Sequence, residues 1–202
     1  MKQYSASAGL YRGLLYNLVK TGKKASIKLT SSGTSPENPG RIVENLIDYD
    51  NPYKIFTSVF TSAFDQWVQV ELKDRFIDLK AYALGHNGGN YPRHWDILVS
   101  MDGNSWNTLH KIRKNDDSKG CHIFKFTKHI GFIRFFKIIN RGMNGENDGG
   151  NNALYLSNID LYGNVVICND NCTVLPHIFY QSKYCKSNRF NQLSFAILLI
   201  AS

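Results

Sequence analysis

Apolar and polar residues alternate with a period of two through much of the stretch from residue 67 to residue 163. Val68, Val70 and Leu72 interleave with Gln69 and Glu71, which is the pattern of a strand with one buried face. A second run, FIDLKAYAL (76–84), follows after a close connection at Asp74 and Arg75. In 95–100, Trp95, Ile97 and Val99 fall on one face. The next segment, MDGNS, predicts a hairpin turn, because Asp-Gly readily supplies the positive φ that such turns need. WNTLHKI then leads back, and 122–128, 132–140 and 153–163 are further strand candidates. The stretch 132–139 is apolar on both faces and predicts a central strand. Short strands with turn signals between them predict an all-β fold, an antiparallel sandwich or barrel.

The flanks read differently. Leu10, Leu14, Leu15, Leu18 and Val19 recur at helical spacing, so 8–20 predicts a short amphipathic helix, capped by Ser7 and ended at Gly22. SIKLT (26–30) alternates like a strand, and SSGTSPENPG (31–40) is a loop by composition. Alternation stops after Gly163. The chain therefore divides into an N-terminal helical extension (1–25), a β-domain (26–163) and a tail without regular pattern (164–202).

Charge changes this picture little. The net charge is +8, but residues 1–36 hold six basic residues and no acid, and 37–163 hold fifteen of each. A nucleic-acid domain concentrates its surplus on a recognition surface; this surplus sits at the two ends, which argues against nucleic acid. The four cysteines are Cys121, Cys168, Cys172 and Cys185. With one of them in the β-domain no internal disulfide is possible there, which fits a reducing compartment. No signal-peptide core is present at the N-terminus, and FAILLIAS is far short of the roughly 20 residues of a transmembrane span. These features predict an intracellular, cytoplasmic protein.

Three segments in order resemble the discoidin domain, also called the coagulation factor 5/8 type C domain, of the galactose-binding-like fold. They are QWVQVEL, YALGHNGGNYPRHWDILVSMDGNSWNTL and FIRFFKIINRGMNGENDGGNNALYLSNIDLYG. The signature residues are Trp95, Ile97, Val99, Ser100, Asp102, Gly103 and Trp106, with a closing strand Ile159, Asp160, Leu161, Tyr162, Gly163. The likeness extends to single-domain versions in intracellular protist proteins. It implies an antiparallel jelly-roll β-sandwich whose loops at one end meet glycans, anionic phospholipid head groups or proteins. The disulfide joining the ends of many secreted members is impossible here. The loop 85–94 offers only Tyr91 as an apolar spike, which argues against phospholipid.

Function must be sought in the loops, since such folds host many activities. The resemblance points to loops 51–65, 85–94 and 140–152. Within them His86, Asn90, Tyr91, Arg93 and Asn144 are the expected ligand contacts. Planar donors and acceptors suit sugar hydroxyls, and an aromatic ring suits the C–H face of the sugar. Asn144, Glu146 and Asp148 imitate a calcium loop, but Tyr155 stands where an EF-hand needs Glu. The resemblance also implies a possible structural Ca2+ held by Asp48, Asp50 and Asp160. Cys168, Cys172, His177 and Cys185 could together bind zinc. Both tryptophans of the hairpin read as structural. No P-loop, dinucleotide fingerprint, HExxH or GxSxG occurs. The expectation is a non-catalytic module binding a glycan or similar ligand through its loops. The alternative is an adaptor whose helix 8–20 docks to a partner protein.

Overall fold

The computed structural model describes residues 12–51, 53–59, 63–86, 91–113, 120–144 and 153–168, and the backbone of 2–4. Two antiparallel five-stranded sheets face each other across one apolar core. The first contains β1 (Lys2–Tyr4), β5 (Arg75–His86), β8 (Gly120–Lys125), β9 (Phe132–Ile133) and β12 (Asn158–Ile167). The second is ordered β2 (Ile27–Ser31), β4 (Trp67–Leu72), β10 (Phe135–Asn140), β6 (Trp95–Ser100) and β7 (Asn107–Ile112). A small pair, β3 (Phe56–Thr57) with β11 (Tyr155–Leu156), closes one end. This is the antiparallel jelly-roll β-sandwich that the resemblance implies.

The alternating residues do what their period dictates. Val68, Val70, Ile97, Val99, Phe136 and Ile138 turn inward from the second sheet and meet Ile77, Leu79, Leu84, Ile159 and Leu161 from the first. Trp95 is fully buried between them. Its indole N–H donates to the Tyr82 hydroxyl at 3.1 Å, and that hydroxyl lies 3.0 Å from Nδ1 of His110. Burial of a Trp N–H requires such a partner. Tyr82 also stacks on Phe124, with ring centroids 4.9 Å apart.

Three expectations are corrected. The stretch 132–140 is two strands, not one. β9 pairs with β5 in the first sheet, the chain bends at Arg134, and β10 becomes the central strand of the second. A run apolar on both faces is what a segment crossing the core between sheets also requires. Secondly, the boundary expected at Gly163 falls inside β12, which continues to Ile167 and pairs with both β5 and β1. Gly163 marks a bulge there, not an end. A Cβ on it would stand 2.1 Å from the Asp78 carbonyl oxygen, so only glycine fits. Thirdly, the helix is part of the domain. α1 (Leu14–Lys20) buries Leu14, Leu15 and Leu18 in the common core. Its apolar face is therefore already used and is not free to dock a partner, as the adaptor reading required. Ser7 lies outside the described residues, and Gly13 stands at the N-cap.

The expected stop at Gly22 holds. Gly22 takes a φ of +73, its N–H donates to Val19 and that of Lys23 to Leu18, a glycine-terminated helix end with both bonds made. Cys121 forms no disulfide, whereas Cys168 is disulfide-bonded. Among the described residues no helix is long and apolar enough to cross a membrane.

Candidate functional site

At one pole of the sandwich the strands β5, β10 and β2 end and β6, β4 and β12 begin. The three expected loops are tied together there by backbone bonds. Pro92 and Asn144 form an isolated antiparallel bridge. The Arg141 N–H donates to the His94 carbonyl at 2.8 Å, and the Asn140 N–H to that of Gln66 at 2.8 Å. Ser58 and Leu154 exchange two bonds: the Ser58 N–H donates to the Leu154 carbonyl, and the Leu154 N–H to the Ser58 hydroxyl.

Within this frame the expected contacts fall into two groups. His86, Tyr91 and Asn144 are buried, contrary to their expected placement on the surface. The Tyr91 ring stacks on His86 at 5.6 Å, and His86 on His122 at 5.1 Å, giving a column of three rings. The Asn144 amide donates to the Ala153 carbonyl at 2.7 Å. These side chains hold the loops instead of facing solvent. Arg93 is partly exposed, as is its neighbour His94. Asn90 lies outside the described residues, as do 60–62, 145–152 and the tail positions Cys172, His177 and Cys185.

Composition alone missed one pair of groups. The Asp96 carboxylate, nearly buried, accepts from Arg113 at 2.7 Å and from Arg141 at 2.8 Å. Arg113 also donates to the Trp95 and Ile112 carbonyls. Burial of Asp96 opposes its charge, but the two guanidiniums win and hold its carboxyl below the usual range. Both guanidiniums stay partly exposed at the rim. Burial, then the charges of Arg93 and Arg113, holds the His94 imidazole below its ordinary value, so it favours the neutral form. Gly142 makes room for it: a Cβ there would lie 2.6 Å from the His94 ring. The rim thus presents forked cationic donors and a neutral imidazole on strand ends that packing fixes. That set can grip hydroxyl or carboxylate oxygens; it holds no assembled nucleophile and base.

The calcium site expected from Asp48, Asp50 and Asp160 is not formed. The described residues contain no cluster of three or more metal-ligating side chains. Asp48 pairs with Lys54 at 2.8 Å, and Asp50 with Lys20. Asp160 is fully buried and accepts from the Gly13 N–H at 2.8 Å, the Leu15 N–H at 2.9 Å and its neighbour Leu161 at 2.8 Å. It therefore supplies to α1, from the far end of the sequence, the cap that Gly13 lacks. Burial pushes its carboxyl up to about 7 against the pull of those N–H groups.

Residues 28–155 match the F5/8 type C domain family. No curated protein matches the chain by sequence. Solved structures share the fold at low identity. CpGH89CBM32-5 from Clostridium perfringens, solved in complex with GalNAc-β-1,3-galactose, is 17% identical with a TM-score of 0.55, covering 69% of this chain and 96% of that one. Chitosan-binding module 1 of a chitosanase/glucanase from Paenibacillus sp. IK-5 is 19% identical with a TM-score of 0.52, covering 68% and 96%. An F-lectin (fucolectin) from striped bass (Morone saxatilis) serum is 17% identical with a TM-score of 0.53, covering 68% of this chain and 47% of that one.

Proposed function

The chain belongs to the F5/8 type C domain family, and from that premise we propose that it is a non-catalytic module that binds glycans at the loop pole of its sandwich. The observation that carries this reading is the joining of 51–65, 85–94 and 140–152 into one frame with partly exposed Arg93, His94, Arg113 and Arg141 along its rim. The glycan-bound, chitosan-binding and lectin structures of the same fold support the ligand class. Arg93 makes the direct contact. His86, Tyr91 and Asn144 serve the same site by holding the loops in place. Forked guanidinium donors meet pairs of neighbouring sugar hydroxyls, and the rigid strands beneath keep the entropic cost of binding low.

A glycan array with purified protein, followed by titration of the best hit, tests this. Arg93→Ala is expected to weaken binding about tenfold or more, the size of a lost charged hydrogen bond. The melting temperature should barely move, because Arg93 is partly solvated. Full binding by Arg93→Ala removes Arg93 from the site. An array without any signal removes the glycan reading itself.

A further inference from the structure

The outer face of the second sheet carries groups that the loop pole does not use. Trp67, Glu71, Phe135 and Lys137 alternate with the core residues of their strands and so point away from the core. The Lys137 ammonium lies 5.0 Å from the centre of the Trp67 ring and 3.9 Å from that of Trp106. Trp106 meets Phe135 edge-on at 6.3 Å, and Arg134 sits over the Phe135 ring at 5.4 Å. Cations and rings thus alternate along the sheet, from the turn at 101–105 up to Trp67 beside the loop pole.

The charges of this face do not balance. Glu71 is met by Arg134 at 2.9 Å and by Lys28 at 3.6 Å, and Asp96 by Arg113 and Arg141. Among the described residues no carboxylate lies within ion-pair distance of Lys137. Leaving aside the rim group of Asp96 with Arg113 and Arg141, three cations (Lys28, Arg134 and Lys137) therefore stand on the face around Glu71, although residues 26–163 as a whole hold sixteen basic and fifteen acidic residues. Both tryptophans remain partly exposed. Burial between the indoles lowers the Lys137 pKa from its ordinary 10.5, and a poorly hydrated ammonium gains most from an incoming anion.

Partly exposed indole rings with a half-buried cation between them suit a ligand that has C–H faces and negative charges together. We propose that the Trp67–Lys137–Trp106 strip is a second glycan platform, selective for acidic oligosaccharides that carry carboxylate or sulfate groups. It begins at Trp67, next to the loop pole, and extends away from it. The proposal does not depend on Arg93 or on the loop site. Indole rings take the sugar's C–H face, and Lys137, held between them by cation–π contact, takes the anion.

Titration calorimetry of the full chain with an oligogalacturonate and a heparin-derived oligosaccharide tests it and separates carboxylate from sulfate ligands. Lys137→Gln and Trp106→Ala are each expected to weaken binding of the preferred acidic oligosaccharide about tenfold, and Lys137→Arg to restore most of it. Lys137→Gln keeps only part of the aliphatic stem, so its melting temperature is measured beside the binding, and an unchanged value shows that the fold survives. Arg93→Ala should leave this binding within about twofold of wild type, far below one charged contact. Three results would each overturn the proposal. They are no binding of either oligosaccharide, unchanged binding by Lys137→Gln, and equal binding of polyglutamate or single-stranded DNA of matched charge.

Discussion

The two poles of the sandwich are stabilised by bonds of different sequence range. At the turn pole the hairpin between β6 and β7 is held chiefly by its own side chains, with one distant backbone bond from the Arg134 N–H to the Ser100 carbonyl. The Ser100 hydroxyl donates to Asp102 and accepts the Asp102 and Gly103 N–H groups, and the Asp102 carboxylate accepts those of Asn104 and Ser105. The Trp106 indole N–H closes the loop on the Gly103 carbonyl. Each of these side-chain partners lies within a few residues of the others. At the loop pole the partners come from afar: Pro92 from Asn144, His94 from Arg141, Asp96 from Arg113 and Arg141, and Ser58 from Leu154. A locally held turn forms wherever its sequence occurs. A frame assembled from distant segments forms only on a finished core, and its rim residues can vary without disturbing that core. Ligand contacts belong at the second kind of pole.

The largest expected separation comes from Gly142→Ala. Its new Cβ collides with the His94 ring, at a cost of about 1–3 kcal/mol. Because the strain lies in the frame, glycan binding at the loop pole should fall sharply while the β6–β7 hairpin keeps its amide protection in hydrogen exchange. Loss of protection at both poles would mean that they are not independent. Asp102→Ala should do the reverse, more weakly. The melting temperature drops slightly, the amides of Asn104 and Ser105 exchange faster, and glycan titration is unchanged.

Acid should separate the poles with the smallest effect. His94 is held below its ordinary value of 6.5, so the folded state binds its proton less readily than the unfolded chain. The stability this gives is present above about pH 6.5 and is lost as pH falls through the folded value. Asp102 is held down to about 2 by the Ser105 and Asn104 N–H groups. Its contribution is present above its ordinary value of 3.8 and lost only as pH falls toward 2. Exchange measured along a pH series should therefore loosen the loop pole first, starting below neutrality, and leave the hairpin intact until strong acid. Simultaneous loosening would contradict the difference in range described above.

This difference also explains what could be read from the sequence. The strands, the hairpin and the helix stop at Gly22 rest on local alternation and turn chemistry, and all three are visible in single segments. The β9–β10 bend at Arg134 was not, because a run apolar on both faces is the same whether it stays in one sheet or crosses to the other. At the loop pole the right segments could be chosen but not their exposure. His86, Tyr91 and Asn144 look like solvent-facing polar groups until the column of rings and the bridge to Pro92 bury them. Arg113 and Arg141 lie 28 residues apart and show no shared motif. Only the Asp96 carboxylate between them makes them one group. Asp160 could be read as a cation ligand because its partner is a helix end 147 positions earlier, which no local pattern reveals.

That carboxylate has a consequence for how the chain is made. Leu14, Leu15 and Leu18 emerge from the ribosome well before Asp160, the group that caps their helix from as far as 147 positions later. A seven-residue helix cannot persist alone in water, so the early segment must wait unfolded, its leucines open to chaperones, until β12 has left the exit tunnel. Folding of this domain is thereby timed to the synthesis of β12, and a nascent chain stalled before Asp160 should remain sensitive to protease throughout its length.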